Sequence, residues 1–331
     1  MHEYRILDLF SGIGGFSIAL NSFASTVAYC DNDIHSQQVL AKNMSLQRLD
    51  KAPTFTDVTK LNAQSIRELN PNIITAGFPC TDISSANPNG KGLKGERSGL
   101  FKEILRLIDE LPSINVLFLE NSPRIIKKGF RFVKKSLIHR GFSLKYCLIS
   151  AKDVGALHKR LRWYCVCVRN IDSNTLPRIN ESLMKMPHID NIRDKKLVKV
   201  TSLEQKKMIF ARLQLLGNTI VPQCAMAAWN LLVNAHASRL SEVEVKVNPI
   251  NVHKPLDINI SDGITTYHKD YWATPCRVIW HNYSYLSKRG STLLSNQLYF
   301  NVKNDIDKSE KVIANPNFVE KLMGYPINWT L

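Results

Sequence analysis

Four side chains in this sequence stand where they can do covalent chemistry. Cys80 follows the apolar run Ile73-Ile74-Thr75-Ala76, across the breakers Gly77 and Pro79. Open α/β sheets bind ligands at the carboxyl ends of their strands, so a thiol fixed on a Pro-Cys turn there is a candidate nucleophile. The competing reading is a structural thiol, because free cysteine is among the most buried residue types. Glu120 comes directly after the apolar run Val116–Leu119, at a second carboxyl end where a carboxyl can give or take a proton. Arg160 and Arg162 precede the run Trp163–Val168. Two apart on an extended chain, they point to one side and can grip an anion or a base carbonyl.

The elements that must position these groups read as alternating strands and helices. Arg5–Phe10 has a strand pattern, Ser11-Gly12-Ile13-Gly14-Gly15 is a glycine-rich turn, and Phe16–Phe23 starts a helix. Small residues let the backbone approach a ligand, and helix amides can meet a negative group. The spacing GxGG is not the dinucleotide fingerprint GxGxxG, which argues against NAD. A second strand, Thr26–Cys30, ends in Asp31-Asn32-Asp33. An acid there commonly accepts hydrogen bonds from ribose hydroxyls, with a helix N-cap as the equal alternative. A helix through Asn43 follows, then a strand near Thr54–Thr56 with Asp57 at its end, placed to hydrogen-bond an adenine amino group. The alternation continues through strand Ile73–Ala76, helix Gly99–Glu110, strand Asn115–Leu119, helix Ile125–Arg140 and strands Leu144–Ser150 and Trp163–Val168. It predicts an α/β fold with a doubly wound, mostly parallel sheet.

Composition narrows the partners. The 331 residues carry 44 Lys and Arg against 28 Asp and Glu, a net charge of +16, which favours a polyanion such as nucleic acid. Arg124, Lys127, Lys128, Arg131, Lys134 and Lys135 recur at three- and four-residue spacings as a cationic helix stripe, read as contacting phosphate rather than only solvent. Seven cysteines without a CxxC pair indicate neither a disulfide framework nor a zinc site, and so a reducing compartment. The first residues lack a signal-peptide pattern and no apolar run is long enough to span a bilayer, so an intracellular, soluble protein with no membrane partner is expected. Ser85–Gly99, with glycines at 90, 92, 95 and 99, directly follows the thiol turn and reads as a mobile lid over it.

Thiol, carboxyl and guanidinium groups beside a nucleotide-like pocket suit one problem well. Carbon-5 of cytosine is too weak a nucleophile to take a methyl group unaided. Addition of a thiolate to carbon-6 makes it an enamine carbon, and an acid at the ring nitrogen stabilises the charge that builds there. A base buried in a duplex cannot meet such a site and must be flipped out. Phe10-Ser11-Gly12-Ile13-Gly14-Gly15, Gly77-Phe78-Pro79-Cys80, Glu120-Asn121 and Gly217-Asn218 resemble the ordered motifs of the DNA cytosine-5 methyltransferases. The likeness runs through about residues 4–170 and resumes with the helix from 212. It implies S-adenosyl-L-methionine as donor, bound near Phe10, Gly12, Gly14, Asp31, Asp57, Val58 and Pro79, with Asn218 closing the pocket. It implies Cys80 as nucleophile and Glu120 as the group engaging the ring nitrogen, with Arg160 and Arg162 matching the family's paired arginines. The implied partner is double-stranded DNA, and since one flipped base needs one subunit, a monomer is expected.

The sequence departs from the family at several points. His158 stands where Gln is usual before the arginines, Ser122 replaces the more usual Val after Glu120-Asn121, and the region just ahead of Gly217 matches poorly. The recognition insert after the arginines is very short. An aromatic and basic segment, 266–331, follows the Gly217-Asn218 helix instead. Its Trp272-Ala273-Thr274-Pro275 and Leu322-Met323-Gly324-Tyr325-Pro326-Ile327-Asn328-Trp329 resemble a tail of members from phages and large viruses. The expected division is therefore a catalytic domain of 1–170 plus 212–236, a linker and start of a small domain over 171–211, and a target-recognition region over 237–331. Two alternatives stand beside DNA methylation: an RNA cytosine-5 methyltransferase of the same fold, and a DNA-binding protein that has lost turnover.

Overall fold

The computed structural model describes residues 3–79, 99–156, 158, 160–186, 197–199, 201–238, 244–245 and 312–331, with backbone alone at 197–199 and 312–314. Seven strands make one sheet: β1 (Tyr4–Leu9), β2 (Ala24–Cys30), β3 (Thr54–Phe55), β4 (Ile73–Gly77), β5 (Val116–Asn121), β6 (Ser143–Ser150) and β7 (Leu161–Val168). Their order is β3-β2-β1-β4-β5-β7-β6, parallel throughout except for β7, which runs against both β5 and β6. This is the doubly wound, mostly parallel sheet that the alternation of elements predicts.

The strands are apolar on both faces because both faces are covered. On β5, Val116 and Phe118 enter one core layer, with Ile6, Tyr164 and the helices α1 (Gly15–Leu20), α2 (Ile34–Ser45), α7 (Leu203–Asn218) and α8 (Pro222–Ala237). Leu117 and Leu119 enter the other, beneath α3 (Ala63–Arg67), α4 (Gly99–Glu110), α5 (Ile125–Lys128) and α6 (Phe130–Ile138). Helix α4 buries Phe101, Ile104, Leu105 and Ile108, the three- and four-residue spacing of an amphipathic helix. Local chemistry starts the helices: Asp33 caps α2 through the His35 and Ser36 amides, and α8 opens on Pro222, whose missing N–H is no loss in a first turn.

Several sequence expectations shift on the structure. The helix expected over Ile125–Arg140 is two helices broken at Gly129, so the cationic stripe bends there. Glu120 and Arg162 lie inside β5 and β7 rather than beyond or before them, which fixes both side chains by strand register. Residues 171–186, read as a linker, are irregular yet packed: Leu176, Ile179 and Met184 are buried, and Trp229 of α8 donates its indole N–H to Pro177 O at 2.9 Å. Within the stretch 171–211 expected as a linker and the start of a small domain, helix α7 begins at Leu203.

The largest correction concerns the end of the chain. Residues 315–331 do not stand apart in a recognition region, because helix α9 (Pro316–Leu322) and the residues after it belong to the core around α1, α7 and α8. Glu320, Met323, Tyr325 and Trp329 are all buried. A short antiparallel pair, β8 (Leu197–Lys199) with β9 (Val312–Ala314), precedes α9. Cys80, most of the Ser85–Gly99 loop and the 266–311 part of the aromatic-basic segment lie outside the described residues. Among the described residues no helix is long and apolar enough to cross a membrane.

Candidate active site

The site lies along the carboxyl ends of β1, β2, β4 and β5. Glu120 pairs across the sheet with Gly77 of β4 on one side and Tyr164 of β7 on the other. Because Gly77 has no side chain, Glu120 Oε2 fits against it: a Cβ added there would lie 3.3 Å from that oxygen. The same carboxyl meets Arg162 Nε through Oε1 at 3.1 Å. Its neighbour Asn121 donates Nδ2 to Phe78 O at 3.1 Å and pins the backbone that leads to Pro79. Pro79 is exposed, and Cys80 lies one residue beyond the described run.

Burial raises the Glu120 pKa above the ordinary glutamate value, while the charges of Arg162 and then Arg160 pull it back. A carboxyl so balanced can hold or release a proton with small changes around it. Arg160 and Arg162 do not act as one clamp. Arg162 faces the carboxylate, whereas buried Arg160 donates to the backbone carbonyls of Gly217, at 3.0 Å, and Thr219. It thereby holds the end of α7 where Asn218, exposed, is the last helical residue. His158 is fully buried beside them, with no partner for either ring nitrogen among the described residues. Burial first, then the two arginine charges, push its pKa down to about 3, so it stays neutral.

The glycine-rich turn is a separate, well-braced structure. Phe10, Gly12 and Gly14 all have left-handed backbones, at φ 53, 54 and 85. Ser11 Oγ donates to Asp8 O at 2.6 Å and accepts from Cys30 N at 3.0 Å. Asp31 takes the Gly12 amide at 2.7 Å and the Asp33 amide at 2.9 Å. It is therefore a brace of the turn, and the helix N-cap is Asp33 rather than Asp31. Burial raises the Asp31 pKa, with the Asp33 and Gly12 amides opposing. Asp57 caps a short helical turn over Val58–Lys60, and hydrogen bonds from Thr59 keep its carboxyl below the usual range. Val58 itself is buried, with its carbonyl held by Arg106 Nη2 at 3.1 Å.

Two groups escaped the sequence reading. Asp8, fully buried under the turn, accepts from Thr75 Oγ1 at 2.6 Å and Ser17 Oγ at 3.2 Å. Burial pushes its pKa up to about 7 against those two hydrogen bonds. A lone acid in the strand Arg5–Phe10 was the available signal. Tyr325 and Trp329, marked in sequence only by their aromatic character and as part of the tail motif from Leu322, also reach this site. Of the other cysteines, Cys30, Cys147, Cys165 and Cys224 are buried with pKa values pushed up, Cys30 to about 12, and none is poised as a thiolate.

Comparison with known proteins places this site in a family context. A sequence model of the C-5 cytosine-specific DNA methylase family matches residues 4–310. The Type II methyltransferase M.CviJI of Paramecium bursaria Chlorella virus IL3A is 34% identical over 168 residues, covering 50% of this chain and 44% of that protein. M.HhaI of Haemophilus parahaemolyticus is 31% identical over 171 residues, covering 50% and 49%. The chain thus spans about half the length of the curated relatives it matches. Among solved structures, a DNMT2 variant of Spodoptera frugiperda aligns over 99% of this chain and 97% of its own at 18% identity, with a TM-score of 0.47.

Proposed function

We infer the activity from one premise: the chain belongs to the C-5 cytosine-specific DNA methylase family. On that premise it transfers a methyl group from S-adenosyl-L-methionine to carbon-5 of cytosine at a defined site in double-stranded DNA. The observation that carries this reading is the Glu120 carboxyl, buried against Gly77 of the thiol turn and paired with Arg162.

Each residue then has a task. The Cys80 thiolate bonds to carbon-6 of the base, and Glu120 supplies a proton to ring nitrogen-3, where charge builds through the conjugated carbons 5 and 4. Arg162 tunes that carboxyl, and Arg160 positions the Gly217–Thr219 segment while adding positive potential. S-adenosyl-L-methionine supplies a sulfonium-bound methyl group that is transferred as the donor leaves as a neutral thioether. Water takes the carbon-5 proton, Cys80 leaves as thiolate, and the nitrogen-3 proton returns to the Glu120 carboxylate, which restores the neutral ring. The turn from Phe10 to Gly14 suits the donor, since left-handed glycines bare the backbone, while Asp31 and Asp57 offer acceptors for its hydroxyl and amino groups. Val58, Pro79 and Asn218 complete the proposed wall.

Glu120 is too deeply placed to meet a stacked base, so the cytosine must swing out of the duplex. The surface beside the site supports a polyanionic partner. From Asn121 to Lys152 the sequence holds nine Lys and Arg and no Asp or Glu. Arg124, Lys127, Arg131 and Lys135 are exposed there and form no ion pair among the described residues. Region 246–311 is proposed to contact the DNA and set the sequence preference.

Duplex DNA in which 5-fluorocytosine replaces cytosine tests the covalent step, because fluorine cannot leave as a proton does and the adduct stays bound. A denaturation-resistant protein–DNA species that needs the donor and disappears in Cys80→Ser is expected. No such species from the unaltered chain, with DNA and donor both bound, would overturn the nucleophile.

A further inference from the structure

The glycine-rich turn keeps three left-handed residues within five positions, one of them Phe10, which has no intrinsic liking for that conformation. Such a turn persists only where its surroundings over-determine it. Most of the braces are local, from Asp8, Cys30 and Asp31. One is not. Trp329 Nε1 donates to Ile13 O at 2.8 Å, from 316 residues away in sequence. The Trp329 backbone carbonyl is held by Asn43 Nδ2 at 2.9 Å, so the residue is tied to α2 as well.

Tyr325 makes the second link. Its hydroxyl bonds Thr219 Oγ1 at 2.6 Å and donates to Ile220 O at 3.1 Å, in the loop just after Asn218. A Cβ at Gly15 would come 2.6 Å from that oxygen, so the ring is wedged between the turn and this loop. The segment is anchored by Glu320, whose fully buried carboxylate accepts from Arg212 Nη2 at 3.0 Å, Asn328 N at 2.7 Å, Thr330 N at 2.8 Å and Thr330 Oγ1 at 2.5 Å. A carboxylate saturated by donors fixes its neighbours in one arrangement.

We propose that Trp329 and Tyr325 are positioning residues for the methyl donor, and that segment 315–331 clasps the Ser11–Gly15 turn to the Asn218 loop. This rests on the reading that those two walls hold S-adenosyl-L-methionine. With the clasp loosened, donor binding must also order the turn, and affinity falls by the cost of that ordering. The loss belongs to the donor and leaves DNA affinity alone, which a general weakening of the fold would not do.

The test titrates S-adenosyl-L-methionine calorimetrically into the full chain and into Trp329→Phe, Tyr325→Phe and, as a control on the same segment, Ile327→Ala, whose side chain is exposed. Tyr325→Phe removes one hydroxyl and carries the test should Trp329→Phe fold poorly. The donor Kd is expected to rise about tenfold in Tyr325→Phe and Trp329→Phe and to stay within twofold in Ile327→Ala. Donor KM should rise with kcat at saturating donor retained, and Kd for duplex DNA should not move. Unchanged donor affinity in Tyr325→Phe, or an equal loss of DNA affinity, would overturn the clasp. An unaltered chain that does not bind the donor at all would instead overturn the reading of the site on which it rests.

Discussion

Replacing Arg162 with methionine keeps most of the stem volume and removes the charge that faces Glu120. The two groups lie 3.1 Å apart, with side-chain exposures of 22% for Arg162 and 12% for Glu120. At an effective dielectric constant near 20, unit charges at that distance attract by about 5 kcal/mol. Solvent at the arginine side screens part of this, leaving about half, roughly 2–3 kcal/mol, in favour of the ionised carboxyl. Burial already raises Glu120, and Arg162 is the larger of the two influences opposing it. The midpoint in Arg162→Met should therefore move further up. A carboxyl raised in the folded state contributes its full stability below the unfolded pKa and loses it as pH rises through the folded value. The variant should thus be hurt most on the alkaline side of its own midpoint. Carbon-13 NMR of labelled glutamate, with Glu120→Gln to assign the resonance, reads the midpoint without turnover. A midpoint equal to or below that of the unaltered chain would refute the argument.

Two further outcomes follow from the described geometry. Asp8→Asn should remove a pH dependence of folding: with the Asp8 pKa pushed up to about 7, the unaltered chain loses about 3 kcal/mol between pH 5 and pH 8 that the variant keeps. Urea unfolding at both pH values checks this, and parallel losses in the two proteins would contradict it. Replacing Arg124, Lys127 and Arg131 together with alanine should reduce the slope of log affinity for duplex DNA against log salt by up to about 2.7, about 0.9 for each phosphate no longer neutralised. An unchanged slope would take the duplex off that surface.

Much of the sheet was legible because its strands, covered on both faces, appear as short apolar runs closed by Gly, Pro or charge. Ile73–Ala76 and Val116–Leu119 were placed that way, and with them Gly77 and Glu120. Register was less legible: Glu120 and Arg162 look like loop residues by charge, and only pairing with Gly77, Tyr164 and Ile149 shows them inside strands. The stripe from Arg124 to Lys135 satisfied a helical period while Gly129 interrupted the helix, since periodicity of charged residues does not report a break between them. Parity put Arg160 and Arg162 on one side, but the partners of Arg160 lie 57 and 59 residues on, beyond any local pattern. The same reason hid the role of segment 315–331. Its aromatic residues announce burial, and nothing local says that Trp329 is buried against Ile13.

The most direct measurement of the central claim is transfer of labelled methyl from S-adenosyl-L-methionine to duplex DNA, with transfer RNA assayed beside it and the modified positions mapped by bisulfite sequencing. Label on carbon-5 of cytosine within one short duplex motif, absent in Cys80→Ser, is the expected result. Label confined to RNA, or none on any nucleic acid while the donor is bound, would contradict it.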